Sequence, residues 1–498
     1  MRQPLLYELN ARWWLGELSK KYSRPVTLDS VPEAEVAAWQ DLGFTHIWLM
    51  GVWATGPLAR SRAWSELKLL GPEYGPEAVG GSPYAIADYH VGSELGGDAA
   101  LNTFRQQLSA RGLKLVLDFV PNHLGLDHPW VVERPELFVQ SKDRAPEHFQ
   151  QQTRAGMRWL AHGKDPNFAA WTDTVQLDYR RPETHRIMIE LLQRIAGCCD
   201  GVRCDMAMLL LNDVFNQTWP KVPTLQAAVS PGPARSGAGA LPEFWASAIL
   251  AVKRQAPGFL FLAEAYWGLE PRLQALGFDF TYDKDLLDKI LARAPAAVQR
   301  HVYEMRPGAL AQGAHFLENH DEPRIASLLS FSEHRAAALL VLALPGMRFL
   351  HQGQLTGARR KAPVQLVRSR AGPDDPRITA LYENLLQVLN RSAVGQGKGE
   401  LLRPRAAWQD NPTAQNFVIV QWQAQPDLFD LVVINLATHP SQCVVSLNFP
   451  NLSSCSWSMQ DLLSDEQYVR PGLELQNHGL FLDVPANAAQ LFQLQPQP

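Results

Sequence analysis

Four stretches decide the fold: LKLVLDFVPNH over residues 113–123, GVRCD over 201–205, GFLFLAEAYW over 258–267 and GAHFLENHDEPR over 313–324. In each, a short apolar run leads into acid: Asp118, Asp205, Glu264, and Glu318 followed by Asp321. A carboxylate at the exit of a buried parallel strand adds little to packing. At the rim of a (β/α)8 barrel it is displayed where such folds place their chemistry. Four such exits in one chain predict a single acidic pocket assembled from four strands.

Working outward, LLYELN near Leu5, THIWLMGV from Thr45, GFDFTYD from Gly277 and GMRFLHQ from Gly346 supply four more strand-like runs. Helical patterns fall between the runs, the alternation expected of βα units and a parallel sheet. One helix is expected over about 32–42, begun by Pro32 and stopped at Gly43. A second runs from Asp98, read as its N-cap, to Arg111, with Leu101, Phe104 and Leu108 on one face. A third covers Pro182 to Ala196. The expected fold class is α/β: a (β/α)8 TIM barrel formed by residues 1–123 and 179–400. Residues 124–178 form an inserted subdomain after the third strand. That insertion is far longer than one βα unit needs and rich in Pro, His, Trp and charge, so it is expected to wall the substrate. Residues 52–83, in the second loop, and AVSPGPARSGAGALP from Ala228, in the fourth, are also long, and the latter is expected to be flexible. Beyond residue 400 short alternating runs such as NFVIVQW and LFDLVVINL predict a C-terminal antiparallel β-sandwich over 401–498.

Composition narrows the function classes. A chain of 498 residues that is 46% hydrophobic and 19% charged can bury a large core. Its net charge of -4 gives no reason to expect nucleic acid or an anionic membrane as partner. The opening MRQPLLYELNARWWL lacks the layout of an export signal, and no run approaches a membrane span, so the expected location is the cytoplasm. The five cysteines, Cys198, Cys199, Cys204, Cys443 and Cys455, have no metal-site or disulfide spacing and are expected to be buried, reduced thiols. No phosphate loop, dinucleotide fingerprint or zinc motif is present.

In order, residue type and placement after strands, the four acidic stretches resemble the four signature regions of glycoside hydrolase family 13, the α-amylase family. The resemblance extends to the insertion after the third strand and the C-terminal β-domain. It implies that Asp205 is the nucleophile, Glu264 the general acid/base and Asp321 the stabiliser of the transition state. It also implies that His320 and His123 hydrogen-bond the sugar, that Tyr84 in SPYAIADY stacks beneath it, that Asp118 orders the site and that Asp88 supports it. The residue types suit this chemistry. Cleavage with retention needs one carboxylate to attack the anomeric carbon and another to protonate the leaving oxygen. The two must hold different protonation states at one pH. Arg203, two residues before Asp205 on a strand, shares its side and is expected to favour the ionised nucleophile. The apolar run before Glu264, with Tyr266 and Trp267 after it, is expected to keep that group protonated. Taken singly, each residue has an ordinary structural reading: an ion pair, a loop-start network, a turn, a packed ring. Those readings fail jointly, because they do not explain all of the residues falling at successive strand exits.

Departures from the family pattern bear on substrate. Many α-amylases carry a Lys–His pair shortly after the nucleophile; here Met206-Ala207-Met208-Leu209-Leu210 stands instead, which implies a smaller or different aglycone, or an acceptor held by apolar walls. Ser82 stands where many members have histidine, and VQLDY from Val175 matches no subgroup form. Asn122 matches an asparagine that holds structural calcium in many relatives, and Asp173 and Asp178 are further oxygen donors. One matching ligand is far short of six to eight oxygens, so no metal or other cofactor is expected to be required. The basic run Arg359-Arg360-Lys361, with Arg368 and Arg370, reads as a solvated loop face. The expected function is a retaining α-glucoside hydrolase on short α-glucosides or α-glucans, with a small oligosaccharide or glucoside as partner. The alternatives are a transglycosylase using the same residues, of glucanotransferase or disaccharide-mutase type, and an inactive binding or interaction subunit.

Overall fold

The computed structural model describes residues 2–67, 75–220, 241–368, 372–425 and 428–497. Arg370 and the part of the fourth-loop stretch from Ala228 to Ala240 lie outside the described residues.

All eight expected strands form, and they close in chain order into one barrel. They are β1 (Leu5–Asn10), β2 (His46–Met50), β3 (Lys114–Phe119), β4 (Gly201–Cys204), β5 (Leu260–Ala263), β6 (Phe280–Tyr282), β7 (Gly313–His315) and β8 (Met347–His351). Each neighbouring pair is parallel, and β8 returns to β1. The apolar runs are continuous because helices cover the outside and packed side chains fill the inside, so both faces are buried. In β1 even Glu8 is buried. Register places Asp118 of β3 beside Arg203 of β4, and Glu8 of β1 between Trp48 of β2 and His351 of β8. Polar side chains from distant parts of the chain therefore meet inside the upper barrel.

The helices fall close to expectation, at Glu33–Asp41, Gly97–Ala110 and Pro182–Ala196. The N-cap assignment needs correction. Gly96, in the left-handed conformation at φ 102°, caps the second helix, and Asp98 lies in its first turn. The Asp98 carboxylate instead accepts the N–H of Val91 at 2.8 Å and pairs with His90 at 2.6 Å. A tight Gly96-Gly97 turn, which needs positive φ at both residues, moves the helix cap two residues earlier.

The segment after β3 begins and ends on an antiparallel pair, His123–Gly125 with Thr174–Gln176, which pins both ends of the insertion at the strand exit. Between them lies a small three-stranded antiparallel sheet. The tail forms a six-stranded and a two-stranded antiparallel sheet. Its strand Phe417–Gln425 is buried on both sides from Phe417 to Trp422: Val418, Val420 and Trp422 join the barrel's core, while Phe417 and Ile419 join the tail's own. Alternation along a strand allows one segment to serve both. The Trp422 indole N–H donates to the carbonyl of Ala343 at 2.9 Å, and the Tyr303 hydroxyl to that of Leu402 at 2.7 Å.

All five cysteines are free thiols. Cys199, Cys204 and Cys443 are buried as expected, whereas Cys198 and Cys455 are only half-buried. No helix among the described residues is long and apolar enough to cross a membrane.

Candidate active site

Asp205 follows the last residue of β4, and Glu264 follows the last residue of the adjacent β5. Between them lies the guanidinium of Arg203, which is fully buried. Its Nη1 lies 2.6 Å from Asp205 Oδ1 and its Nη2 lies 2.7 Å from Glu264 Oε2. Nη1 is also 3.9 Å from Asp118 Oδ1, and Nε donates to the Tyr282 hydroxyl at 3.3 Å. The rings of Tyr84 and Trp48 lie 5.2 and 5.3 Å from its central carbon. A buried cation requires this much compensation, because isolated charge is costly away from water.

Glu264 has two further donors. The Met206 N–H reaches Oε2 at 2.7 Å, and the Tyr266 hydroxyl reaches Oε1 at 2.9 Å. Met206 adopts a left-handed backbone at φ 43°, uncommon for a residue with a side chain, and its amide points at Glu264. Burial pushes the Glu264 carboxyl up to about 7, against the pull of Arg203 and with Asp205 adding to the rise. Burial raises Asp205 as well, opposed by Arg203. Arg203 thus pulls Asp205 toward its ionised form, and the same guanidinium pulls on Glu264 as well. Burial likewise pushes Asp118 up to about 7, with Arg203 and the N–H of Gly51 pulling the other way.

Asp321 comes from the loop after β7 and is the most open of the three, with 48% of its side chain exposed. His320 Nε2 lies 2.9 Å from Asp321 Oδ2 and 2.7 Å from the Tyr84 hydroxyl, and its Nδ1 lies 2.5 Å from Glu8 Oε1. The rings of Tyr84 and His320 stack at 5.4 Å. Burial opposes charge on His320, yet Asp321 and Glu8 outweigh it and push the ring up to about 10. Burial also works against ionised Asp321, but His320 and Arg203 hold it below the usual carboxylate range. His123 is different: burial pushes it down to about 4, so it is neutral at pH 7.

These groups open on a cavity of about 480 Å3. Asp205, Glu264, Asp321, Tyr84 and His123 line it. Arg203, Asp118 and His320 lie behind that lining and hold it through the contacts above. Asp88 sits half-buried in a two-stranded antiparallel sheet, paired with Ala54, and does not line the cavity. The walls come from loops after several different strands: Glu66 and Ser82 after β2, Ala170 to Thr174 from the insertion after β3, Met206 after β4, Tyr266 after β5, and Val364 with Gln365 after β8. The face of the barrel at the strand C-termini is the expected place. Trp171 of the insertion packs its ring 5.0 Å from His123.

Sequence reasoning missed Glu8, although an acid inside the apolar run LLYELN was a usable signal. It also missed Trp171 and Gln365, which line the cavity. Arg359, Arg360 and Lys361 are exposed as expected, and the Lys361 ammonium reaches the Asp321 carbonyl.

The side-chain oxygens of Asn122 and Asp178 are already engaged by protein donors. Asn122 Oδ1 accepts from the Gln176 amide at 3.0 Å. The two Asp178 oxygens accept from Arg180 at 2.7 and 2.9 Å, with Arg181 at 3.5 Å. Asp173 lies in the cavity wall. Among the described residues no group of three or more His, Cys, Asp or Glu could hold a metal ion.

Comparison with known proteins identifies the family and the fold. The profile of the family described as "Alpha amylase, catalytic domain" matches residues 38–391. The α-amylase MalA of Haloarcula japonica is 23% identical over 375 residues, 72% of this chain and 48% of that protein. Maltase 1 of Drosophila virilis is 23% identical over 373 residues, 64% of this chain and 53% of that protein. The chain thus spans about half the length of the curated relatives it matches. Among solved structures, a noncanonic maltogenic α-amylase, AmyB from Thermotoga neapolitana, superposes with a TM-score of 0.67 at 17% identity, covering 99% of both chains.

Proposed function

The chain belongs to the α-amylase family, and on that premise we propose that it is a retaining α-glucoside hydrolase acting on short α-glucosides or α-glucans. One observation carries the proposal: a single guanidinium grips an oxygen of Asp205 and an oxygen of Glu264 at the floor of one cavity. That bridge gathers both carboxyls at one guanidinium, which supports the retaining reading, in which such a pair stands about 5–5.5 Å apart.

In the first step a carboxylate oxygen of Asp205 bonds to the anomeric carbon as the glycosidic C–O bond breaks. Glu264 gives its proton to the departing oxygen. In the second, Glu264 takes a proton from water, the water oxygen bonds to the anomeric carbon, and Asp205 departs. Asp321 supplies negative charge opposite the oxocarbenium-like transition state, and Tyr84 offers a ring face to the sugar. The catalytic and binding roles follow the family pattern at matching positions. The cavity volume and its walls from Trp171, Val364 and Gln365 favour a short substrate over a long chain lying across an open cleft. Met206, the first residue of the stretch Met206–Leu210 that stands where many relatives have the Lys–His pair, gives the cavity an apolar wall. That wall favours transfer to a sugar hydroxyl as a second reading, since partition depends on water exclusion and acceptor affinity. Calcium is given no part, because the oxygens that would bind it are held by Gln176, Arg180 and Arg181.

A substrate panel tests all of this together. Maltose, maltooligosaccharides, sucrose, trehalose and aryl α-glucosides would be incubated with and without an acceptor sugar, and with and without a chelator, and the products separated by chromatography. The expected result is glucose or short transfer products, unchanged by the chelator. A folded protein that turns over none of them sinks the proposal, and activity abolished by the chelator sinks the metal-free part.

The acid role of Glu264 has its own readout. The group must be protonated to act, so kcat/KM is expected to fall as pH rises through about 7. Glu264→Gln removes that limb and slows natural glucosides far more than nitrophenyl glucosides, whose leaving group needs no proton. An alkaline limb that persists in the variant would assign it to another group.

A further inference from the structure

Glu8 stands within β1, where every position is buried, and is itself 0% exposed. Its Oε1 accepts from His320 at 2.5 Å. Its Oε2 has no hydrogen-bond partner and lies 4.0 Å from His351 Nε2. A buried carboxylate with one vacant oxygen is a poor stabiliser of a barrel wall; well-packed apolar residues in such places do as well or better. The charge therefore calls for another use.

The other groups facing His320 come from all round the site. Asp321 of its own loop meets Nε2, and the Tyr84 hydroxyl from the loop after β2 meets the same nitrogen. Trp48 of β2 packs edge-on, with ring centres 5.7 Å apart. Asp118 of β3 and Asp205 after β4 lie within electrostatic reach, and Arg203 lies across the Tyr84 ring. Two carboxylates thus address the two ring nitrogens from opposite sides. An ionised carboxylate only accepts, and only an imidazolium donates from both nitrogens. The Glu8 contact fixes which nitrogen faces inward, so Nε2 faces Asp321 and the Tyr84 hydroxyl, both of which line the cavity.

Resting on the hydrolase reading above and deepening it, we propose that Glu8 is a positioning residue that locks His320 in place as a cation beside Asp321. Glu8 does not touch substrate. It acts through His320, and through His320 on the orientation of Asp321 and Tyr84.

The test is Glu8→Gln, which keeps an acceptor in reach of Nδ1 and removes the charge. In the wild-type protein the ring nitrogens of His320, followed by 15N NMR, are expected to keep the imidazolium signature through pH 8. In the variant they are expected to titrate at least one pH unit lower. On the best substrate of the panel kcat is expected to fall about 10- to 100-fold with KM within about threefold, as for loss of a preorganised electrostatic contact. Glu8→Asp is expected to restore part of the shift. Either a neutral His320 in the wild-type protein at pH 8 or an unchanged titration in Glu8→Gln overturns the proposal. If Glu8→Gln does not fold, the wild-type titration decides alone. The NMR readout needs no turnover, so it separates failure of this assignment from failure of the hydrolase reading.

Discussion

Asp205→Asn is expected to lower kcat by about 10^4- to 10^6-fold while the protein stays folded and still binds sugar. Losses of that order accompany removal of a nucleophile or its activating partner. At 1.36 kcal/mol per tenfold, four to six decades amount to about 5–8 kcal/mol of barrier. The size follows from position: Asp205 has lost water, opens on the cavity and is bonded to Arg203 at 2.6 Å, so no neighbouring group can take its place. An amide keeps the shape and one hydrogen bond but cannot form the glycosyl ester. The checks are turnover of the best panel substrate, circular dichroism for the fold and calorimetry for sugar affinity. A variant with near-normal turnover removes Asp205 from the mechanism. A wild-type protein that binds sugar but never turns it over makes the chain a binding subunit.

Arg203→Ala is expected to do harm of two kinds. Asp118, Asp205 and Glu264 all lie within 3.9 Å of the guanidinium, and all are buried. Removing one partner from a buried ion pair costs about 3–5 kcal/mol, because the remaining charge has no compensation. The carboxyls escape part of that cost by taking up protons. Burial already pushes Asp118 and Glu264 up to about 7, and loss of Arg203 raises both further. A protonated Asp205 is no nucleophile, so activity near neutral pH should vanish along with stability. Arg203→Lys keeps the charge as a compact point but cannot bridge two carboxylates with a planar fork. It should recover much of the stability and little of the rate. Denaturant midpoints and kcat/KM for the three proteins check this; Arg203→Ala with wild-type stability would show that the carboxyls never depended on it.

The parts of this molecule that were legible in its sequence are those with a local cause. Barrel strands include runs such as LFLA and LVLDF, buried on both faces, which need no distant partner to be recognised. Asp205 and Glu264 could be found because they follow such runs directly. Arg203 was legible because residues two apart on a strand share a side. What the sequence hid has a non-local cause. Glu8 and His320 are 312 positions apart, and only barrel closure brings them together. Trp171 and Gln365 lie in loops without periodicity, so nothing near them in the chain marks which way they face. The cap at Asp98 was misplaced because Asp suits both an N-cap and a first turn. The pull of His90 and the Val91 N–H decided between them.

The strand Phe417–Gln425 carries two independent sets of obligations on alternate residues. Val418, Val420 and Trp422 are answerable to the barrel, Phe417 and Ile419 to the tail. A foreign tail transplanted onto this barrel would have to copy the first set and could vary the second freely. Drift along this segment is therefore expected to follow a period of two, with every other position tied to the partner it leans on.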